Sequence, residues 1–122
     1  MKHVAMITFA VVAALAAAAC SGSSEPSGAV ARGDATGAAV ELAIDDNEFR
    51  PTRLEVPANK DAVIRVTNRD GTPHDFAVAS QDLNTGVLKQ GAVATATVRV
   101  GSDPITFVCT LHGGMKGTIV PS

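Results

Sequence analysis

The sequence has no tryptophan and no tyrosine, and its aromatic residues are limited to four phenylalanines. Proteins that bind single-stranded nucleic acid stack the bases on aromatic side chains, so this chain lacks their main feature. Lysine and arginine form no run, and the formal net charge is −2 at pH 7. A duplex binder would instead carry a basic patch or stripe. These absences exclude nucleic acid as an expected partner.

Charge is also missing from a stretch near the start of the chain. After the short basic segment Met1-Lys2-His3, a predominantly apolar run of 16 residues extends from Val4 to Ala19. This run is shorter than the ~20 residues that a membrane-spanning helix needs. A basic start, an apolar run and small residues are typical of a signal peptide, which we assign to residues 1–19. The protein is therefore expected to be exported.

The small residues that lead into Cys20 resemble a bacterial lipoprotein signal. This resemblance implies that Cys20 is lipidated and becomes the first residue of the mature protein. The protein would then be anchored at the outer face of the cytoplasmic membrane or in the periplasm, and would touch the membrane only through its lipid. An ordinary secretory signal, cut nearby, is the alternative.

Cysteine is scarce, with two residues in the whole chain. A disulfide between Cys20 and Cys109 would join the processing point to the domain across a long polar tract and would constrain little. Without that bond, Cys109 is a lone thiol in an oxidising compartment, where thiols are readily oxidised. A metal would protect it, so the compartment favours a role for Cys109 as a ligand.

The remainder divides into a tether and one domain. Residues 20–37 are rich in serine, glycine, alanine and proline and show no hydrophobic periodicity, which indicates a flexible, lipid-anchored tether. Residues 38–122 form the predicted folded domain, which is long enough for a single core. We expect this domain to be a monomer.

Long helical patterns are absent from the domain, and alternating patterns take their place. Apolar residues recur at every second position in VELAID, RLEV and AVIRV, and short strands are also expected in HDFAVA, ATATVRV, ITFVCT and GTIV. Turn residues separate these segments. About seven to eight short strands without a long helix predict an all-β sandwich or barrel.

Histidine and methionine are rare in the predicted domain, yet they are grouped. Three candidate metal ligands, Cys109, His112 and Met115, lie within seven positions of one another. The fourth candidate, His74, lies 35 residues upstream of Cys109. The alternation of side chains along a strand turns His74 and Cys109 toward the core. This grouping predicts a metal site at one end of the fold.

Two imidazoles, a thiolate and a weak axial thioether are the ligands of electron-transfer copper sites. Zinc would accept the cysteine and the two histidines with a water as fourth ligand, which is the chemical alternative. The methionine argues against zinc, because thioether sulfur is a poor zinc ligand.

The segments FVCTLHGGMKGTIV and NRDGTPHDFAV resemble the cupredoxins, the small blue copper proteins, and the short gap between His112 and Met115 resembles the ligand loop of amicyanins. The resemblance implies a Greek-key β-sandwich that binds one copper ion through His74, Cys109, His112 and Met115. It also implies that Asn68 ties the His74 segment to the cysteine loop by hydrogen bonds. Asp75 departs from the family, which commonly has asparagine there, and it would place a negative charge near the copper.

The function expected from these residues is electron transfer between redox proteins outside the cytoplasmic membrane, without enzymatic activity. The patch around His112 is predicted to dock the redox partner. The alternative is copper handling, as a chaperone or resistance protein, with the same ligands. The predicted docking patch comprises Pro73, Leu111, Gly113 and Gly114.

Overall fold

The computed structural model describes residues 30–33 and 37–122. The predicted signal peptide and Cys20 lie outside the described residues. In chain order the strands are β1 (Val30–Arg32), β2 (Val40–Asp45), β3 (Glu48–Arg50), β4 (Arg53–Val56), β5 (Asp61–Asn68), β6 (Ala77–Val78), β7 (Leu83–Asn84), β8 (Val93–Arg99), β9 (Ile105–Val108) and β10 (Lys116–Pro121).

The strands form two sheets, which confirms the predicted all-β sandwich. One sheet has six strands in the order β1-β4-β10-β9-β6-β7, and the other has four in the order β3-β2-β5-β8. The chain passes repeatedly between the sheets, as expected for a Greek-key arrangement. The helical structure in the described ranges is one 3-10 turn, Ala79–Gln81, and no helix there is long and apolar enough to span a membrane.

All seven segments predicted as strands contain strand residues in the structure. The segment HDFAVA is the shortest match, because regular pairing there is limited to β6 and to an isolated bridge between His74 and Leu88. Strands β1, β3 and β7 were not predicted, since two or three residues are too few to show alternation. Strand β1 lies inside segment 20–37, where a tether is predicted, and it pairs in parallel with β4.

Alternation determines which side chains fill the space between the sheets. Strand β5 alternates buried and accessible residues along its whole length, and Ile64 and Val66 are fully buried. The two sheets are therefore held together mainly by burial of aliphatic and aromatic side chains, at about 1.5–3 kcal/mol for each large residue.

One end of the sandwich collects the residues of the predicted metal site, and we call it the donor end. Strand β5 ends there at Asn68, and β10 begins there at Lys116, directly after Met115. The hairpin between β2 and β3 also turns there. Its two turn residues, Asp46 and Asn47, have φ angles of 53° and 57°. Asparagine and aspartate tolerate this left-handed conformation better than most residues, which explains the sequence of the turn.

Three phenylalanine rings pack below the donor end. The ring of Phe107 lies 4.9 Å from that of Phe49 and 5.2 Å from that of Phe76, and all three are buried. Phe76 is two residues after His74, and Phe107 is two residues before Cys109. Each ring is thus close in sequence to a candidate ligand, and their packing fixes the two segments that carry these ligands.

Gly117 provides a test of this packing. A Cβ atom at this position would overlap the ring of Phe107 and lie 2.5 Å from the carbonyl oxygen of Thr52. We expect Gly117→Ala to lower the free energy of unfolding by about 3 kcal/mol, at the upper end of overpacking effects. Guanidinium unfolding followed by circular dichroism measures this change, since the chain has no tryptophan to report it.

The matched control is Gly101→Ala. A Cβ atom at Gly101 meets nothing within 4 Å. We expect this control to change stability by less than about 0.5 kcal/mol. Equal effects of the two substitutions would contradict the packing described for Phe107.

Candidate metal centre

Three of the four predicted ligands converge at the donor end. The sulfur of Cys109 lies 3.7 Å from Nδ1 of His74 and 3.6 Å from Nδ1 of His112. One potential ligand atom from each of the three residues lies within 4.8 Å of the others. His74 is fully buried, Cys109 is 4% exposed and His112 is half-buried. The structure thus brings together residues that are 35 positions apart in sequence.

These distances fit a shared metal ion. A metal at about 2.3 Å from a thiolate and about 2.0 Å from an imidazole nitrogen, with bond angles near 110–120°, separates sulfur from nitrogen by about 3.5–3.7 Å. Both measured separations lie in this range. The three side chains can therefore hold one ion with little movement.

The fourth predicted ligand, Met115, closes the loop that carries Cys109 and His112. The backbone N–H of Cys109 donates to the carbonyl of Met115 at 3.0 Å, and the N–H of Met115 donates to the carbonyl of His112 at 3.4 Å. Gly114 makes the turn with a φ of 82°, which side chains rarely allow. The side chain of Met115 is buried, so its thioether is held in the core at the donor end.

The orientation of His74 depends on Asp70. His74 exchanges two backbone hydrogen bonds with Leu88, which fix its main chain. Its Nε2 lies 3.0 Å from Oδ2 of Asp70, and the same oxygen accepts the backbone N–H of Asn47 at 2.8 Å. The hydrogen bond from Asn47, followed by that from His74, holds the pKa of Asp70 below its ordinary value. An ionised carboxylate can only accept, so Nε2 of His74 donates to Asp70, and in a neutral ring Nδ1 then turns its lone pair toward Cys109.

Asp75 joins the two segments that carry buried ligands. Its carboxylate accepts the backbone N–H of Thr110 at 2.6 Å, the hydroxyl of the same residue, and the side-chain amide of Asn84 at 3.1 Å. Burial opposes the ionisation of Asp75, but these hydrogen bonds outweigh it and lower its pKa. The residue after His74 is thereby bonded to the residue after Cys109.

Asn68 was predicted to bind the cysteine loop by hydrogen bonds, and this partner was wrong. Its amide donates to the carbonyl oxygens of Thr72 at 3.0 Å and Leu88 at 2.8 Å, and its Oδ1 accepts the N–H of Asp70 at 2.9 Å. Asn68 therefore shapes the turn that leads to His74, and the tie to the cysteine loop is made by Asp75. The residue is nevertheless buried beside the site.

Sequence reasoning missed two contacts of the site. The sequence indicates Asp75 as a charge near the metal but not as a bridge, and it does not indicate Asp70. The signal for Asp75 was its position directly after a ligand, where a bridging side chain can reach the cysteine loop. Asp70 gave no comparable signal, because its contact depends on the conformation of two turns.

The predicted docking patch is accessible in the structure. Leu111 is 48% exposed, and Pro73, Gly113 and Gly114 are exposed as well. A groove of about 680 Å³ runs between the ligand loop and strand β3, and Leu111, Gly113 and Gly114 of the patch line it. His112 and Met115 line the groove together with Phe49. One candidate ligand is thus reachable from solvent while two others are enclosed.

A family model described as a cupredoxin-like domain matches residues 6–120 of the chain. A comparison with curated protein sequences gave no match. The donor set and this family match together support one copper ion as the cofactor, since the four side chains are positioned as in a type 1 copper site.

Solved structures similar to this chain include a reduced mutant of amicyanin, with 19% identity and a TM-score of 0.59, covering 73% of this chain and 86% of that one. Dithionite-reduced auracyanin from Roseiflexus castenholzii has 18% identity and a TM-score of 0.59, covering 67% of this chain and 94% of that one. A copper-containing nitrite reductase from Thermus scotoductus SA-01 has 22% identity and a TM-score of 0.54. That match covers 65% of this chain but 21% of the reductase, and all three likenesses concern the fold.

The bridge made by Asp75 generates a prediction about stability. Asp75→Ala removes the charged acceptor of the part-buried hydrogen bond from the N–H of Thr110, so we expect the free energy of unfolding of the copper-free protein to fall by about 2 kcal/mol at pH 7. The pKa of Asp75 is lower in the folded state. The contribution of Asp75 to stability is therefore present above the ordinary aspartate pKa of about 3.9. It is lost as pH falls through the lower pKa of Asp75 in the folded state.

The difference in free energy of unfolding between Asp75→Ala and the unsubstituted protein should accordingly shrink below about pH 4. Guanidinium unfolding at a series of pH values measures it. The control is Asp103→Ala, which removes an exposed aspartate from a distant loop. A difference that stays constant down to pH 2, or one equal to that of the control, would contradict the bridge.

Proposed function

Because the chain belongs to the cupredoxin-like family, we propose that it is a type 1 copper protein that carries single electrons between redox partners. In this proposal the copper ligands are Nδ1 of His74, the thiolate of Cys109, Nδ1 of His112 and the thioether of Met115. The observation that carries the proposal is the placement of the Cys109 sulfur at 3.6–3.7 Å from two imidazole nitrogens.

Copper, when bound, supplies a centre that accepts and releases one electron. The protein's contribution is to keep the donors in place when the charge changes. His74 is held at its main chain by Leu88 and at its ring by Asp70, and Cys109 is held by the backbone hydrogen bond to Met115. Donors fixed in this way rearrange little, and a small rearrangement keeps the barrier to electron transfer low.

Electrons would enter and leave through His112, the half-buried ligand. The patch of Pro73, Leu111, Gly113 and Gly114 would let a partner protein approach the edge of its imidazole ring. Transient redox complexes of this kind bury less than about 1,200 Å². The partner would be another redox protein, and the chain would act as a monomer without enzymatic activity.

We further propose that the protein is exported and lipid-anchored through Cys20. The basic start and apolar run of residues 1–19 support export, and the small residues before Cys20 support the anchor. The protein would then work at the outer face of the bacterial cytoplasmic membrane or in the periplasm.

Copper handling is the second candidate function. The groove beside the ligand loop favours it, since a copper-accepting partner could reach His112 and Met115 there. The burial of His74 and Cys109 opposes it, because a partner would have to displace two enclosed donors to remove the ion.

The test is the visible spectrum and copper content of the full-length protein. We expect one copper ion per chain and the intense blue absorption of a copper–thiolate bond. Cys109→Ala should abolish the colour. The matched control is Cys20→Ser, which removes the chain's other cysteine and should leave the colour unchanged.

A colourless copper-loaded protein, or a Cys109→Ala variant that stays blue, would overturn the proposal. Repeated reduction and oxidation with the copper retained supports electron transfer. Rapid loss of the reduced ion to a chelator supports copper handling instead.

A further inference from the structure

We propose that Asp70 is a positioning residue that fixes the ligand face of His74 and lowers the reduction potential of the copper. This inference rests on the proposed function, because it concerns how one ligand of that site is held. Among the described residues Asp70 makes no hydrogen bond to the cysteine or the second histidine, so it acts on the metal through its contact with the His74 ring and through its charge.

The geometry around Asp70 is that of a residue that is itself held in place. Its backbone N–H donates to the side chain of Asn68 at 2.9 Å. Its Oδ2 accepts the backbone N–H of Asn47 from the left-handed turn between β2 and β3. The side chain is 17% exposed, beside a His74 that is fully buried. Two separate turns therefore fix the carboxylate before it meets the imidazole.

The contact decides which nitrogen of His74 is available. A neutral imidazole carries one proton, and either nitrogen can hold it. With the proton on Nε2, directed at Asp70, Nδ1 has its lone pair toward the Cys109 sulfur 3.7 Å away. With the proton on Nδ1, the ring could not donate electrons to an ion placed between these two residues. Partners of this type orient metal-binding histidines and make them stronger donors.

The negative charge of Asp70 also affects the reduction potential of the copper. A negative charge on the far side of the ring favours the more positive oxidation state, Cu(II), and so lowers the potential. Other carboxylates at this end are engaged differently. Asp75 is bonded by Thr110 and Asn84, and the exposed Asp46 and Glu48 lie 3.8 and 3.9 Å from the guanidinium of Arg50.

Two substitutions separate charge from contact. The donors from Asn47 and His74 use the same oxygen, Oδ2, while the N–H of Thr72 lies 3.5 Å from Oδ1. In Asp70→Asn an amide oxygen at that position can still accept both hydrogen bonds, so the contact stays while the charge is lost. Asp70→Ala removes the charge and the contact together. The control is Asp46→Asn, which removes a charge from the same end at a side chain that is 86% exposed.

The first measurement uses nitrogen NMR of the histidine rings in the copper-free, full-length protein. We expect His74 to be protonated at Nε2, with slow exchange of that proton, in the unsubstituted protein and in Asp70→Asn. In Asp70→Ala the exchange should become fast. Protonation of His74 at Nδ1 in the unsubstituted protein would overturn the positioning role.

The second measurement is the reduction potential of the copper-loaded proteins. We expect Asp70→Asn to weaken Cu(II) relative to Cu(I) binding by about tenfold, within the range seen for residues that support metal ligands. Tenfold corresponds to a rise of about 59 mV for a one-electron couple. Asp46→Asn should change the ratio of Cu(II) to Cu(I) affinity by less than about twofold, because the charge of Asp46 is exposed and screened.

Equal shifts for Asp70→Asn and Asp46→Asn would overturn the effect of Asp70 on the potential, leaving only the summed charge of this end. A colourless wild-type protein with His74 protonated at Nε2 would overturn the proposed function and the effect on the potential, while the orientation of His74 by Asp70 would stand. The two failures are therefore distinguishable.

Discussion

The hydrogen bond from the Thr110 N–H to Asp75 is the interaction on which the rest of the site depends. It joins the residue after His74 to the residue after Cys109 across 35 positions of sequence. Phe76 and Phe107 pack against each other one step further into the core. The two segments that carry His74 and Cys109 are thus joined by a hydrogen bond at the site and by ring packing just below it. These contacts between neighbouring residues place the sulfur of Cys109 beside the imidazole of His74.

The other two donors are placed by more local means. Met115 and Cys109 share a backbone hydrogen bond, and one glycine with a left-handed φ makes the loop short enough to close. His112 is carried by this loop and by no strand, which leaves it half-buried where the others are enclosed. The site therefore combines three buried donors with one at its boundary.

Much of the fold could be predicted from the sequence, because alternation reports burial directly, as in Ile64 and Val66. The candidate donors were also predictable, since rare residue types grouped near the chain's end. The hydrogen bonds that support the donors were harder to predict from the sequence. Asn68 was assigned the wrong partner, and Asp70 was missed, because both depend on how turns fold in space. Strand β3, with three residues, shows no pattern of its own and forms by pairing with β2 across a two-residue turn.

Strand β1 gives the architecture a mechanical property. It lies at the edge of the six-stranded sheet and pairs with β4, and neither strand carries a donor. Force applied to the chain upstream of Val30 would load the short β1–β4 pairing first, and then β2, which lies in the opposite sheet. Strand β4 also pairs with β10, which begins after Met115, over four residue pairs against the three of β1–β4, so the shorter outer pairing would yield first. A pull from the N-terminal side would thus detach β1 before it separated the strands that flank the donors.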